Sequence, residues 1–313
     1  MKLVTYRTDI EAAARLGVLQ DNMVVDVAGF GAHVGLDLPH RMLDFIDRGP
    51  YAVSQLREAL ETARGAWGNA LALPLASVRL LAPIPRPRKN IFGIGLNYLD
   101  HVAESSNALD TAPDLPKEPV VFSKPPTAVV GPGEPVRHDD AMTQQLDWEV
   151  ELAVIMGTRA TTVAREDALS CVFGYSVMID VSARDNRRAG QWIFSKGMDS
   201  FAPFGPCIVT ADEIPDPQVL DLGLTINGVE KQRSNTAKML FKVDELIADL
   251  STGMTLEPGD IIASGTPEGV GAGRDPQEWM WPGDVMWPGD VMEAWGEGIG
   301  ALRHPIIDAK TFG

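Results

Sequence analysis

The middle of the chain carries an alternation of acidic and apolar residues, Asp147-Trp148-Glu149-Val150-Glu151, which runs directly into the apolar stretch 152–156. A period of two is typical of a β-strand, in which side chains two positions apart share a face. The pattern therefore predicts a strand with Asp147, Glu149 and Glu151 on one face and apolar residues on the other.

Three neighbouring carboxylates repel one another unless water, cationic partners or a metal ion neutralises them. An all-oxygen cluster suits a hard cation such as Mg²⁺, Mn²⁺ or Ca²⁺. The alternative is a half-exposed strand whose acidic face meets water, which is common among strands of alternating polarity. The stretch by itself favours the solvated strand, so the choice depends on what the rest of the chain supplies.

The composition is that of a soluble globular protein. The chain has 313 residues, of which 45% are hydrophobic and 22% charged, and its formal net charge is −16. Such an acidic chain lacks the basic face that nucleic acid binding needs, and no apolar run approaches the ~20 residues of a membrane span. The first residues do not resemble a secretory signal, and the two distant cysteines indicate a reducing compartment. We therefore expect a cytoplasmic protein.

The sequence pattern predicts two domains. Residues 1–80 combine short strands with helical periodicity and contain no catalytic grouping, which predicts a small N-terminal α/β domain. Three alternate prolines in the stretch 83–88 favour an extended, stiff connection and mark the boundary. Residues 81–313 are then expected to form the larger, catalytic domain.

A candidate general base follows the buried strand predicted for residues 91–96. If the chain forms a helical turn here, His101 and Glu104 lie three positions apart and can hydrogen-bond. A carboxylate on one imidazole nitrogen fixes the tautomer and makes the other nitrogen a better base. The alternative is an ordinary exposed His–Glu pair. The polar stretch 105–118 that follows is predicted to be a mobile lid.

Further candidates for the same site occur later in the chain. Asp180 ends a predicted strand, where it could supply a third metal ligand or simply cap a turn. Lys196 could hold a substrate carboxylate or an enolate oxygen, or could face solvent. The glycine-rich loop 265–271 lacks the Lys-Ser/Thr ending of a P-loop, which argues against nucleotide binding. Its backbone N–H groups and the Thr266 hydroxyl could instead hold a carboxylate.

Three local patterns carry structural predictions. Residues 165–173 have the pattern of a helix, and Ser182 with Asp185 resembles a capping box. The hexapeptide of residues 281–286, Trp-Pro-Gly-Asp-Val-Met, recurs verbatim as residues 287–292. We interpret the repeat as a tandem duplication without function. The second copy is predicted to enter a strand that continues to Trp295, while the first copy extends a loop.

Taken together, these motifs resemble the fumarylacetoacetate hydrolase (FAH) family, in particular its bacterial acylpyruvase-like and 2-hydroxyhepta-2,4-diene-1,7-dioate isomerase-like members. Eight segments match in the family's order over roughly residues 82–307: 95–104, Lys124-Pro125-Pro126, 147–152, 174–180, 182–185, the run around Lys196, Pro258-Gly259-Asp260 and 265–271. Each motif is weak alone, but eight in sequence are specific.

The resemblance implies an α+β fold, with a mixed β-roll or barrel-like catalytic domain, flanking helices and the small N-terminal domain, assembled as a homodimer. It also implies a divalent metal, Mg²⁺ or Mn²⁺ or else Ca²⁺. The implied ligands are Glu149, Glu151 and Asp180, with Asp147 adjacent but outside the ligand set.

The resemblance further implies roles for other residues. His101 and Glu104 would activate water, and Lys196 would hold the enolate. The implied substrate-contacting residues are Tyr98, Arg184, Gly265 and Thr266. The chain departs from the family pattern at Arg187, where many members carry Gln two residues after an Arg-Asp pair. That departure bears on the identity of the substrate.

The implied substrate is a small anionic 2-oxo acid. Our first expectation is metal-dependent hydrolysis of a C–C bond in an acylpyruvate or related β-diketo acid, such as fumarylpyruvate. The alternative is an isomerase or decarboxylase of a hydroxymuconate-type diacid or of oxaloacetate, in aromatic catabolism. A non-catalytic metal-binding dimer is the third reading. The fold does not choose among these reactions.

Overall fold

The structure is a computed structural model that describes residues 1–8, 13–63, 71–108, 115–283 and 289–312, with the backbone alone for residues 105–108 and 312. Part of the predicted lid, residues 109–114, lies outside the described residues.

The N-terminal segment is an antiparallel meander with helices packed on it. Its strands are β1 (Lys2–Arg7), β2 (Arg15–Gln20), β3 (Met23–Asp26), β4 (Ala72–Pro74) and β5 (Arg79–Leu81), and its helices are α1 (Val27–Val34), α2 (Met42–Asp47) and α3 (Gly49–Thr62). Asp21 and Asn22 have positive φ angles of 48° and 61° and form the tight turn between β2 and β3. Asp26 ends β3 and caps α1, because its side chain accepts a hydrogen bond from the Gly29 N–H.

The rest of the chain is rich in strands. The strands are β6 (Ile91–Gly95), β7 (Val120–Lys124), β8 (Val129–Val130), β9 (Val136–His138), β10 (Leu146–Asp147), β11 (Val150–Met156), β12 (Val172–Ile179), β13 (Ser182–Ala183), β14 (Ala202–Thr210), β15 (Asp221–Ile226), β16 (Val229–Asn235), β17 (Ile261–Ala263), β18 (Val291–Gly296) and β19 (Gly300–Asp308). The helices are α4 (Leu99–Ala108), α5 (Arg165–Ala168), α6 (Ile193–Lys196) and α7 (Val243–Gly253).

Most strands join one large mixed sheet. Its order is β4-β3-β2-β1-β14-β12-β11-β17-β6-β7, with β5 also on β1 and β8 also on β14. A five-stranded sheet has the order β16-β15-β18-β19-β9, and β10 pairs with β13. The fold is therefore mixed α+β, as predicted, and the path of the large sheet has two ends rather than closing into a barrel.

The N-terminal meander continues the sheet of the larger part of the chain. Lys2 and Leu3 of β1 pair with Val209 and Ile208 of β14, while the other end of β1 pairs with β5. The domain boundary near residue 80 and the homodimer both stay predictions. Among the helices that the structure describes, every one is too short or too polar to cross a bilayer.

Strands β11 and β12 form the buried centre of the large sheet. Every residue of both strands is buried, and they pair in an antiparallel register that sets Val150 opposite Ile179. Just beyond this pair, the Asp180 N–H donates to the Glu149 carbonyl oxygen at 2.8 Å. The register therefore brings the end of β12 beside the start of β11, where the acidic residues lie.

The acidic stretch is not one continuous strand. Asp147 belongs to β10, and the chain leaves strand geometry at Trp148 and Glu149 before β11 begins. Asp147, Glu149 and Glu151 are 0%, 4% and 1% exposed, respectively. A half-exposed strand with a solvated acidic face is therefore wrong, because all three carboxylates lie inside the protein.

Two local predictions were also wrong. The predicted helix over residues 165–173 ends at Ala168, and after one 3₁₀ turn the chain enters β12 at Val172, because the apolar residues there pair in the central sheet. Ser182 lies in β13 and its hydroxyl donates to the Asp180 carbonyl oxygen at 3.1 Å. Asp185 accepts hydrogen bonds from Thr143 and Gln144, so the two residues do not form a capping box.

The two described ends of the tandem hexapeptide are in contact with each other. Val291 of the second copy begins β18, as predicted, whereas residues 281–283 lie outside the strands and residues 284–288 outside the described part of the chain. The Trp281 N–H donates to Asp290 Oδ2 at 2.7 Å, and the Asp290 N–H donates to the Trp281 carbonyl oxygen at 3.0 Å. A Cβ placed on Gly289 would lie 2.5 Å from the Gly283 nitrogen.

Because these ends touch, we expect that removing residues 283–288, which leaves one copy of the hexapeptide, barely changes stability. Loop closure changes by only about 0.6 kcal/mol for each doubling of loop length. The free energy of unfolding in urea should stay within about 1 kcal/mol of the parent. Asp290→Ala removes the acceptor for Trp281 and Asn227 and should cost more. A shortened protein that is less stable than Asp290→Ala would contradict this account.

Candidate metal centre and active site

Three carboxylates meet at the junction of β11 and β12. Glu149, Glu151 and Asp180 each offer one oxygen within 4.8 Å of the other two, and all three side chains are buried. Glu149 and Glu151 flank the start of β11, and Asp180 follows the last residue of β12. The residues predicted as metal ligands are therefore brought together by the antiparallel pairing of two buried strands.

Two lysines, Lys124 and Lys196, donate hydrogen bonds to these carboxylates. Lys196 Nζ donates to Glu149 Oε2 at 2.8 Å, to Asp180 Oδ2 at 2.5 Å and to the Ser182 hydroxyl at 3.0 Å. Lys124 is completely buried, and its ammonium donates to Asp180 Oδ1 and to the Lys196 carbonyl oxygen. Asp180 therefore has a lysine on each oxygen.

Arg184 connects Glu149 to Asp147. Its Nε donates to Asp147 Oδ2 at 2.8 Å, and its terminal nitrogen donates to Glu149 Oε1 at 2.5 Å. The other Asp147 contacts are backbone N–H groups, those of Trp148, Gly271 and Ala272, at 2.6 to 3.1 Å. Asp147 thus has a full set of donors and is not a member of the carboxylate cluster.

Burial and charge shift the protonation of the acids in opposite directions. Burial alone would raise the pKa of Glu149, but the positive charges of Lys196 and Arg184 hold that pKa well below its usual range. For Glu151, burial raises the pKa well above its usual range, and the charges of Asp180 and Glu149 raise it further. The cationic side chains therefore compensate Glu149 and leave Glu151 in an excess of negative charge.

A divalent cation fits this donor set. Glu151 Oε2 accepts a hydrogen bond from the Gly265 N–H at 3.0 Å, but the buried Oε1 has no hydrogen-bonding partner among the residues that the structure describes. A buried carboxylate oxygen without a donor is costly unless a cation approaches it. The three carboxylates can supply oxygen ligands of the kind that Mg²⁺ and Mn²⁺ prefer.

The predicted base lies on helix α4. His101 Nδ1 and Glu104 Oε2 are 3.2 Å apart, and both side chains are largely buried. Glu104 also accepts from the Gly269 N–H at 3.1 Å. A Cβ on Gly273 would lie 2.1 Å from the Glu104 carboxyl carbon, so α4 rests directly on glycine backbone. The His–Glu pair is therefore anchored to the loop that follows β17, rather than exposed to solvent.

Asp147 and Trp148 hold that glycine loop in place. The Asp147 carboxylate accepts from Gly271 and Ala272, and the Trp148 indole N–H donates to the Gly269 carbonyl oxygen at 3.0 Å. The loop that receives Glu104 is thus fixed by the residues just before β11. The acidic stretch contributes both to the carboxylate cluster and to the surface on which α4 docks.

A small cavity of about 30 Å³ lies beside the cluster. Its lining residues come from β6, α4, β13, α6 and the loops around them: Ile94, Gly95, Leu96, His101, Glu149, Ser182, Ala183, Arg184, Arg187, Trp192, Ser195, Lys196 and Thr266. A base, an ammonium group and a carboxylate of the cluster therefore line one cavity, and such a convergence of polar groups is typical of a small-molecule site.

The other residues predicted to contact substrate are placed differently from one another. Thr266 lines the cavity, and its hydroxyl donates to the Val150 carbonyl oxygen. Gly265, with a positive φ of 95°, contributes its N–H to Glu151 instead. Tyr98 is fully buried and is not among the cavity residues; its hydroxyl has no partner within the described residues.

Three side chains at the site were not predicted from the sequence. Lys124 holds Asp180, and Trp192 forms part of the cavity wall. Gln232 donates to Thr266 Oγ1 and accepts from the Val150 N–H, both at 2.9 Å. The available signals were the lysine before two prolines and a polar residue at an inward position of a strand, and neither is specific.

Comparison with known proteins places the chain in a family. Residues 90–307 match the family model described as fumarylacetoacetate (FAA) hydrolase C-terminal. Because this is more than half of the chain, the protein belongs to the FAH family, as its motifs predicted. The mitochondrial oxaloacetate tautomerase fahd2 of Xenopus laevis is 36% identical over 312 residues, which cover 98% of this chain and 90% of that protein. The oxaloacetate tautomerase YisK of Bacillus subtilis (strain 168) is 40% identical over 250 residues, covering 79% and 82%.

Solved structures share the fold over nearly the whole chain. A fumarylacetoacetate hydrolase from the psychrophile Exiguobacterium antarcticum has a TM-score of 0.78 and 36% identity, covering 98% of this chain and 99% of that one. A maleylpyruvate hydrolase from Sphingobium sp. SYK-6, in complex with manganese(II) ion and pyruvate, has a TM-score of 0.76 and 30% identity over the same shares. The similar proteins thus include tautomerases and hydrolases within one enzyme family.

Stabilisation by Mn²⁺ is expected to grow as the pH rises. Because the folded-state pKa of Glu151 is raised, the metal-free folded protein keeps a proton that the unfolded chain has released above about pH 4.3. The metal-free protein therefore loses stability as pH rises through this window, and ion binding displaces the proton. The shift in melting temperature on adding Mn²⁺ should increase from about pH 5 to pH 8.

Glu151→Gln is the matched control for this measurement, because it keeps the shape and removes the titrating group. Its metal-free melting temperature should depend less on pH over the same range, and its Mn²⁺ response should be weak throughout. A Mn²⁺-induced shift that does not vary with pH in the parent protein would contradict the account.

Gly273→Ala is expected to loosen helix α4, because the new methyl group would displace the Glu104 carboxyl group from its contact with the Gly269 N–H. Amide hydrogen exchange over residues 99–104 should accelerate by about tenfold or more, while global stability changes by under about 1 kcal/mol. Gly253→Ala is the control, since a Cβ there meets nothing within 4 Å. Unchanged exchange in Gly273→Ala would show that the contact does not hold the helix.

Proposed function

We propose that the protein is a divalent-metal-dependent isomerase that interconverts the keto and enol tautomers of a small dicarboxylic 2-oxo acid of the oxaloacetate type. The observation that carries this proposal is the convergence of His101, Lys196 and Glu149 on one cavity, with Glu149 belonging to the carboxylate cluster. Tautomerisation needs a base at carbon and a positive group at oxygen, and this cavity offers both. The oxaloacetate tautomerases among the relatives, at 36–40% identity, support the choice of substrate.

Glu149, Glu151 and Asp180 would hold the divalent ion, which would polarise the 2-oxo group and so acidify the neighbouring C–H bond. The chain's own residues then handle the proton. Glu104 orients His101 through Nδ1, and the other ring nitrogen takes the proton from carbon.

Lys196 stabilises the charge that develops on oxygen. Burial would lower its pKa, but the charges of Asp180 and Glu149 raise it, so the ammonium form persists at neutral pH. The Phe122 ring, 4.8 Å from Lys196 Nζ, excludes water from one side of the ammonium. Transfer of this proton from His101 to the enolate oxygen completes the enol, and the same steps in reverse regenerate the keto form.

Hydrolysis of an acylpyruvate is the second candidate, favoured by one specific observation. A carboxylate-oriented imidazole is also the arrangement that activates a water molecule, and His101 with Glu104 has that arrangement. The maleylpyruvate hydrolase among the structural neighbours is consistent with it. The two reactions share an enolate and differ in whether water attacks a second carbonyl group.

The test is ketonisation of enol-oxaloacetate, followed by its ultraviolet absorbance, with Mn²⁺ or Mg²⁺ and after chelation by EDTA. We expect metal-dependent turnover whose kcat falls about 100-fold or more in His101→Asn and in Lys196→Met. Lys310→Met removes an exposed ammonium far from the cavity residues and serves as the control. Acylpyruvate cleavage is assayed in parallel. Cleavage without tautomerisation would replace the proposal by the second candidate, and neither activity would overturn both.

A further inference from the structure

Two side chains of the cavity wall take no part in the chemistry described above. Arg187 and Trp192 line the same cavity as His101, Lys196 and Glu149. Arg187 follows the 3₁₀ turn of residues 184–186, and Trp192 immediately precedes α6. They bring a guanidinium group and an indole ring to a cavity that is also lined by the base and by one carboxylate of the cluster.

Two aromatic side chains, Trp192 and Phe122, hold Arg187 in position. Its guanidinium carbon lies 5.0 Å from the centroid of the Trp192 ring, and that ring lies 5.6 Å from the Phe122 ring. Trp192 also lies against Gly95, where a Cβ would come within 2.3 Å of the indole. The ring is therefore fixed on bare backbone, and stacking limits the guanidinium group to a few orientations before any ligand arrives.

The balance of charge around the carboxylate cluster indicates a role for the Arg187 guanidinium group. Among the residues that the structure describes, the carboxylates of Asp147, Glu149, Glu151 and Asp180 face three cationic side chains, those of Lys124, Lys196 and Arg184. A divalent ion leaves one positive charge in excess, which a single substrate carboxylate neutralises. A second carboxylate in the same buried space needs a cation of its own.

We infer that Arg187 is a specificity-determining residue whose guanidinium group binds the second carboxylate of a dicarboxylic 2-oxo acid. The inference rests on the proposed function and deepens it, because it separates diacids from the corresponding monoacids. The planar guanidinium group matches a carboxylate with two parallel N–H donors, which a lysine does not reproduce. Burial and the neighbouring Arg184 hold the pKa of Arg187 below its usual range.

The test uses two stable ligands that differ by one carboxylate, malate and lactate, titrated calorimetrically into the Mn²⁺-loaded full-length protein. The parent is expected to bind malate more tightly than lactate. Arg187→Gln should weaken malate binding about 30- to 100-fold and leave lactate binding within about threefold. Arg187→Lys should recover only part of the loss, because it restores the charge without the planar fork.

Arg188→Gln is the matched control. Arg188 is exposed and stacks on Phe194 at 3.4 Å, and it is not among the cavity residues. It should change neither affinity. An unchanged malate-to-lactate ratio in Arg187→Gln, or an equal loss for both ligands, would overturn the inference.

Turnover separates this inference from the proposed function. The kcat/KM for oxaloacetate and for its 4-methyl ester should differ strongly in the parent and converge in Arg187→Gln. If the parent turns over oxaloacetate and the ratio does not change, only the role of Arg187 fails. If the parent turns over neither compound yet Arg187→Gln loses malate affinity selectively, the proposed reaction fails and the diacid site stands.

Discussion

The structure depends on the burial of several carboxylates within a few ångströms of one another. Glu149, Glu151 and Asp180 lie at the end of two strands that are buried along their whole length, so water does not screen their repulsion. In such a place an unpaired charge costs several kcal/mol or more. Two lysines, one arginine and a backbone N–H compensate most of this negative charge. A divalent ion could compensate the oxygen that has no donor among the described residues, Glu151 Oε1.

The sequence predicted which residues form this cluster but not how the strands that carry them are paired. The alternation from Asp147 to Glu151 identified the acids, and the family motifs separated the ligand set from its neighbour. A period of two describes one strand, however, and does not show that the chain changes partner between β10 and β11. The helix expected over residues 165–173 failed for a related reason, because the pairing of β12 with β11 outweighed local helical periodicity.

Buried cations were the hardest feature to predict. Lys124 lies 56 positions before the carboxylate that it contacts, and most lysines are exposed, so no local pattern distinguishes it. Gln232 is similar, since its amide joins β11 to the glycine loop across strands that are distant in sequence. By contrast, the His101–Glu104 pair was predictable because both residues lie on one helical turn and their contact is set by helical spacing.

The bridge formed by Arg184 and Asp147 has a thermodynamic consequence. It joins a residue of the carboxylate cluster, Glu149, to the glycine backbone on which helix α4 rests. Binding of an ion at Glu149 and docking of helix α4 would both act on this bridge, so the two events would be coupled. Coupling between binding free energies is reciprocal. To the extent that an ion at the carboxylates favours the docked helix, docking must tighten the ion by the same factor. Retention of an ion would then depend on the docking of helix α4 as well as on the ligands of the ion.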